Sequence, residues 1–114
     1  MKIVYSPEYR RKISELKKYL DIQFGVSVRK KVLRQITERI HTLRDYPYSG
    51  ISMRDLYDID TDYCYIFVGH NYVFYRRDSE NIYVVNMYNE REDYMMSLFG
   101  IKTTTKETED YWGE

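Results

Sequence analysis

Residues 63–94 contain three runs rich in Tyr, Phe, Val and Ile, separated by two short polar breaks, and this pattern constrains the fold most. The runs are residues 63–68, 72–77 and 82–88. Aromatic and β-branched residues favour strands, and the breaks, residues 69–71 and 78–81, contain residue types that favour turns. Because such short connections leave no room for a crossover, the sequence predicts three consecutive antiparallel strands.

The residues before this run predict a strand and two helices. Residues 2–5 form a short apolar strand, and Ser6 and Pro7 then provide an N-cap and a first helical residue. Apolar residues spaced by three or four positions predict one helix over residues 7–24 and a second, capped by Ser27, over residues 28–45. The short link between them predicts an antiparallel helical hairpin that covers one face of the sheet.

Two weaker patterns complete the predicted fold. Residues 53–57 are interpreted as a further strand. Asn89, followed three residues later by Glu92, resembles a capping box and predicts a short last helix over residues 90–99. The fold class is therefore α+β: an N-terminal strand, a helical hairpin on a small, mainly antiparallel sheet, and a short C-terminal helix.

One domain is expected over residues 1–101, followed by a polar, acidic tail over residues 102–114. Tyr111 and Trp112 in this tail are an unusual pair to leave in water. We expect them either to dock on the domain or to bind a partner.

The formal net charge is zero, but the charges are unevenly distributed. Residues 1–45 contain 12 Lys and Arg against 5 Asp and Glu, whereas residues 46–114 contain 6 against 13. A basic helical half can bind nucleic acid or an acidic partner, or it can simply be solvated. The single cysteine, Cys64, suits a reducing cytoplasm, and no apolar run resembles a signal peptide or a membrane span, so we expect a cytoplasmic protein.

The common catalytic and cofactor motifs are absent, and no metal-ligand cluster or cofactor is predicted. Arg76 and Arg77 end a predicted strand, where an arginine can hold a phosphate, although adjacent strand residues point to opposite faces. Tyr88, Asn89 and Arg91 lie where the last strand becomes a helix, a position that favours anions. The alternative interpretation is that the two strand-end arginines are solvated charges and that the second place is a simple helix cap.

The strands carry many aromatic residues, of which about half should pack under the helices. The remainder would form an open aromatic face that needs a partner, either a protein segment or unstacked RNA bases. The aromatic residues concerned are Tyr63, Tyr65, Phe67, Tyr72, Phe74, Tyr75 and Tyr83.

The order of these parts resembles the RelE/ParE superfamily, the toxins of type II toxin–antitoxin pairs. The segments that carry the resemblance are VYSPEYRRKISELKKYL, LRDYPYSG and NYVFYRRDSENIYVVNMYNERED. The resemblance implies a helical hairpin on a small sheet and an antitoxin that wraps the toxin and covers its groove. It also implies one of two targets: RelE-like members cut mRNA in the translating ribosome, and ParE-like members poison DNA gyrase by binding.

The departures from the RNA-cutting pattern favour the ParE-like interpretation. The central strands carry Tyr65, Phe67 and Val73 instead of Lys or Arg, and Asn89 stands where the family often has His. If the chain were a nuclease, the catalytic residues implied by the resemblance would be Arg76, Arg77, Tyr88 and Arg91. The residues expected to contact the target or antitoxin are Tyr65, Phe67, Tyr72 and Asn89. A RelE-like mRNA endoribonuclease and a degenerate member that only binds its antitoxin remain as alternatives.

Overall fold

A computed structural model describes residues 1–101 and confirms an α+β fold with a five-stranded sheet. The elements are β1 (Lys2–Tyr5), α1 (Pro7–Phe24), α2 (Val26–His41), a 3₁₀ turn (Thr42–Arg44), β2 (Ile51–Ser52), α3 (Met53–Tyr57), β3 (Cys64–Val68), β4 (Asn71–Arg77), β5 (Asn81–Asn89) and α4 (Tyr94–Phe99). The strand order is β1-β5-β4-β3-β2. β1 is parallel to β5, and the other neighbours are antiparallel.

The prediction for α1 is confirmed at both ends. Ser6 Oγ accepts a hydrogen bond from the Tyr9 N–H at 3.0 Å, and Pro7 is the first helical residue. At the other end the Gly25 N–H donates to the carbonyls of Leu20 and Asp21. Gly25 has a φ of 88°, a conformation that suits glycine and lets the chain reverse direction immediately.

The predicted start and end of α2 are wrong by a few residues. Gly25 ends α1 and also serves as the N-cap of α2, so the helix begins at Val26 and Ser27 lies inside its first turn. The regular helix ends at His41, and a tighter 3₁₀ turn replaces the last predicted turn. Asp21 Oδ1 and Arg29 Nε lie 2.9 Å apart across the hairpin, close enough for an ion pair but not aligned for a hydrogen bond.

The three predicted strands are confirmed, and the turns between them explain their register. Gly69 and His70 both have positive φ, which matches the two-residue turn that suits the twist of a β-hairpin. In the second turn, the Asp78 carboxylate accepts hydrogen bonds from the N–H groups of Glu80 and Asn81 at 2.8 and 2.7 Å.

Residues 53–57 form the helix α3, so the predicted strand is wrong. β2 contains two residues, and Ser52 then acts as an N-cap because its Oγ accepts from the Asp55 N–H at 3.3 Å. Asp58, with a φ of 54°, ends this helix in the left-handed conformation.

The predicted start of the last helix is also wrong. Only half of the expected capping box forms: Glu92 Oε1 accepts from the Asn89 N–H, but Asn89 Oδ1 accepts from the Arg91 N–H instead of the Glu92 N–H. These bonds close a turn instead of a helix. α4 begins at Tyr94, where Asp93 is the N-cap, and it ends before Gly100 as predicted.

The sheet separates two groups of buried side chains. Under α1 and α2 lies the helix-side core: Tyr9, Ile36, Ile40, Leu43, Cys64, Ile66, Val73, Tyr75, Ile82, Val84 and Met87. On the opposite face lies the far-side cluster: Met53, Tyr65, Phe74, Tyr88 and Met95. The predicted open aromatic face is therefore only partly open, because α3 and α4 contribute Met53 and Met95 to its cover.

None of the helices within residues 1–101 is long and apolar enough to cross a membrane. The predicted contacts of Tyr111 and Trp112 lie outside the described residues.

Candidate functional site

A groove lies between the helical hairpin and the end of the sheet where β3 turns into β4. Its volume is about 1320 Å³. The apolar side chains on the helices are Leu16, Tyr19, Leu20, Phe24, Val28 and Val32. On the sheet the apolar wall is formed by Phe67, Val68 and Met87. The groove therefore combines side chains from both helices with side chains from the sheet.

Several apolar side chains of this groove have no cover from the described part of the chain. Phe24 is 59% exposed, Phe67 49% and Val28 39%. Exposed apolar side chains that line one concave surface are typical of binding sites. The groove is therefore a candidate binding surface.

The polar end of the groove is formed by the loop after β5 and the turn between β3 and β4. His70 Nδ1 lies 3.2 Å from Glu90 Oε1, and the His70 carbonyl accepts from the Glu90 N–H at 2.9 Å. Asn89 Nδ2 is 3.4 Å from the same carbonyl. Asn89 thus lies in the groove wall, where it ties the two loops together, and Arg91 lies on the exposed rim beside it.

Lys12 is a groove residue that the sequence interpretation did not identify. Its Nζ donates to the Met87 carbonyl at 2.8 Å and lies 3.6 Å from the centre of the Tyr88 ring. Burial lowers the pKa of Lys12. In the sequence, this lysine precedes Ile13 on the buried side of α1. From there its side chain can reach the part of β5 that continues past the end of its pairing with β1.

Tyr88 is buried in the far-side cluster, so it does not face the groove as a free reactive group. Its hydroxyl accepts from Asn86 Nδ2 at 3.0 Å, and its ring contacts Phe74 at 5.9 Å between centroids. Burial raises the pKa of Tyr88, which keeps the phenol neutral.

Arg76 and Arg77 point to opposite faces, as predicted, and each already has a partner. The Arg76 guanidinium lies 2.9 Å from Asp62 Oδ2. Arg77 stacks over Tyr48 with its Cζ 4.1 Å from the ring centre, and its Nη1 lies 3.3 Å from Cys64 Sγ. Neither arginine lines the groove.

The structure does not bring the four predicted catalytic residues together. Arg76 pairs with Tyr83 in the sheet, whereas Tyr88 pairs with Tyr72, four residues away along β4. At about 3.3 Å per residue this is a separation of about 13 Å along the strand. Arg91 lies beyond Tyr88, at the opposite end of β5 from the two strand-end arginines.

The three aromatic residues predicted to contact a partner differ in exposure. Tyr65 is buried, and Tyr72 is half-buried against Tyr94 with a centroid distance of 4.8 Å. Phe67 packs on Tyr72 at 4.9 Å but remains half exposed beside the groove. Of the three, Phe67 has the exposure that a direct contact needs.

The family model described as the ParE toxin of the type II toxin–antitoxin system, parDE, matches residues 3–94. The chain belongs to the ParE toxin family. The predicted RelE/ParE superfamily toxin is thus confirmed, and the ParE toxin is one component of a pair whose other component is an antitoxin.

A solved structure agrees with this family fold. A chain from the chromosomal ParDE toxin–antitoxin system of P. aeruginosa is similar, with a TM-score of 0.65 over 78% of this chain and 95% of that chain. The sequence identity is 10%, so this likeness establishes the fold alone. No curated protein matches the sequence.

Proposed function

We propose that this ParE-family toxin arrests growth by binding DNA gyrase, and that its antitoxin inserts an apolar segment into the groove. The observation that carries the first part is the separation of the arginines from Tyr88. General acid–base cleavage of RNA needs groups that converge on one phosphate within hydrogen-bond distance. Arg76 and Arg77 are held elsewhere by Asp62 and Tyr48, which favours action by binding.

The size and lining of the groove support a peptide as its occupant. Pockets for small molecules usually have volumes of about 300–1,000 Å³, and this groove is larger. An amphipathic segment that places apolar residues between two helices and a sheet is a common recognition mode. The outer edge of β3 also has no strand partner beyond Tyr65 within residues 1–101, so an extended partner segment can add to the sheet beside Phe67.

A second candidate, the ribosome-dependent endoribonuclease, rests on the pairing of His70 with Glu90 at the groove. A histidine beside a carboxylate can transfer protons, and Arg91 and Lys12 can attract phosphate nearby. His70 is 77% exposed at its side chain, so this pair has no protected reaction site around it.

The deciding experiment measures gyrase supercoiling, gyrase-linked DNA breaks and mRNA ends with the purified toxin. We expect loss of supercoiling and new DNA breaks, without new mRNA ends in the ribosomal A site. Unchanged gyrase activity together with growth arrest would show that gyrase is not the target. New A-site ends that disappear in His70→Gln would favour the endoribonuclease. No growth arrest at all would indicate a member that only binds its antitoxin.

The groove assignment is tested separately by antitoxin binding. Val28→Asp places a charge on the groove wall and should weaken binding of the co-expressed antitoxin by at least tenfold. Ile22→Asp is the matched control, because Ile22 is 80% exposed on the same hairpin and does not line the groove. Equal loss in both variants would contradict the groove assignment.

A further inference from the structure

We propose that residues 102–114 of this chain bind in the same groove, with Trp112 as the main anchor. The segment would then be an internal competitor of the antitoxin. The competition, though not the binding itself, rests on the proposed function.

The chemistry of the segment matches the apolar lining. Trp112 is the only tryptophan of the chain and follows Tyr111 directly. Aromatic side chains of this size bury large apolar surfaces and anchor many interfaces. The groove offers the exposed rings of Phe24 and Phe67 and the side chain of Val28 as contacts.

The charges favour the hairpin side of the molecule over the far side. Residues 107–114 carry four acidic side chains and no Lys or Arg. Residues 1–45 have an excess of basic side chains, whereas residues 46–101 contain 4 Lys and Arg against 9 Asp and Glu. The groove lining carries four basic side chains against three acidic ones: Arg11, Lys12, Lys31 and Arg91 against Glu15, Glu90 and Glu92. Of the basic side chains, Lys31 and Arg91 form no ion pair within residues 1–101 and are available for an acidic segment.

The segment is long enough to reach the groove. Phe99, near the end of α4, has its ring 5.9 Å from that of Tyr63. Phe67 lies four residues after Tyr63, which corresponds to about 13 Å along an extended chain. The eleven residues 102–112 can span about 36 Å when extended. Trp112 can therefore pass around the edge of β3 and enter the groove without any change in the described fold.

Attachment to the domain makes even a weak contact effective. A short tether gives an effective concentration in the millimolar range. A segment that fills the groove nine-tenths of the time would weaken the apparent affinity of any competing ligand by about tenfold. A competing partner would then need an about tenfold higher concentration to occupy the groove to the same extent.

The fluorescence of the full-length chain tests the binding directly, since Trp112 is its only tryptophan. We expect emission shifted to the blue of the urea-unfolded chain and protection from acrylamide quenching. Val28→Asp should remove both effects, and Ile22→Asp should leave them unchanged. Emission equal to that of the unfolded chain, or equal responses in the two variants, would overturn the proposal. Protection that appears only at high protein concentration would assign the contact to a second copy and would also overturn it.

An apolar dye provides an independent measurement that uses neither gyrase nor antitoxin. Trp112→Ser should increase the binding of anilinonaphthalene sulfonate to the folded chain, because the groove is vacated. Adding Val28→Asp to that variant should reverse the increase, whereas adding Ile22→Asp should not. Dye binding that is unchanged by Trp112→Ser would place the segment outside the groove. Failure of these tests leaves the gyrase experiment untouched, so the two proposals can fail separately.

Discussion

The two faces of the sheet are built from alternate residues of the same strands, yet they are covered very differently. The helix-side core lies under α1 and α2, which have 18 and 16 residues. The far-side cluster is covered by α3 and α4, which have five and six residues. Short helices bury little surface, so the far side depends on contacts among its own aromatic rings.

Burial on the far side also decreases along the sheet toward the groove. Phe74 is fully buried, Tyr72 is half-buried, and Phe67 is half exposed. The helix side is thus covered along its length, whereas the far side changes from a buried cluster at Phe74 to an exposed apolar side chain at Phe67.

Phe74 and Phe67 lie at the two ends of that gradient, and their truncation should have very different costs. Phe74→Ala should lower the free energy of unfolding by about 4 kcal/mol, because it leaves a cavity under Tyr94 and Tyr88. Phe67→Ala should cost less than about 1 kcal/mol, because the ring is already in contact with water. Urea unfolding measures both values. Similar losses would contradict the gradient.

A second comparison tests the helices that cover the two faces of the sheet. Ile36→Ala, in the helix-side core, should lower the free energy of unfolding by about 3 kcal/mol. Met95→Ala, in α4, should cost about half as much, because a six-residue helix can separate locally while the sheet stays paired. Hydrogen exchange should then show faster exchange in α4 alone. Global acceleration in Met95→Ala would mean that the far side contributes as much to the fold as the helix side.

A third comparison concerns a polar connection of the helix-side core. The Tyr75 hydroxyl donates to the Pro47 carbonyl at 3.2 Å and accepts from the Gly50 N–H at 3.1 Å. Tyr75→Phe should therefore cost about 1–2 kcal/mol at neutral pH. Tyr83→Phe, which removes a hydroxyl bonded to Asp78 at the surface, is the control and should cost under about 0.5 kcal/mol.

Ionisation of the same tyrosine should lower the stability of the domain at alkaline pH. Burial raises the pKa of Tyr75 from 10.0 to about 12. A raised tyrosine pKa means that its contribution to stability is complete below pH 10 and is lost between about pH 10 and 12. Tyr75→Phe should reduce the slope of the unfolding free energy in that range. An unchanged alkaline slope would show that the phenol is not protected by the core.

A weaker dependence on pH is expected from the turn between β4 and β5. Hydrogen bonds from Glu80 N–H, Asn81 N–H and the Tyr83 hydroxyl lower the pKa of Asp78 below its ordinary 3.8. A lowered carboxyl pKa stabilises the fold above pH 3.8 and ceases to do so as the pH falls below that value. Asp78→Asn should flatten the acid dependence of the thermal midpoint, and Tyr83→Phe should do so only in part. A full acid response in Asp78→Asn would exclude this turn as its source.

The sequence predicted those elements whose signals are local. Ser6 and Pro7 begin α1, and the Gly69–His70 turn sets the hairpin, because each device acts within a few residues. The missed helix α3 had such a signal, Ser52 followed by Asp55, but the surrounding apolar residues were interpreted as a strand.

The site was less predictable because its parts meet only in the folded chain. Arg76 meets Asp62, and Arg77 meets Tyr48, and in each case the partner lies far away in the sequence. The groove forms where the hairpin faces the end of the sheet, a geometry that no local pattern specifies. The target and the predicted roles of Tyr65, Phe67, Tyr72 and Asn89 remain predictions.

The parallel pairing of β1 with β5 has a consequence for biosynthesis. Lys2 pairs with Asn81, and Ser6 Oγ donates to the Val85 carbonyl, 79 residues away. At a synthesis rate of about 5–20 residues per second, about 4–16 seconds pass between the emergence of these two strands. Until then the nascent chain has a hairpin of helices with no completed surface to pack on. Assembly of the fold is thus deferred until translation has delivered β5.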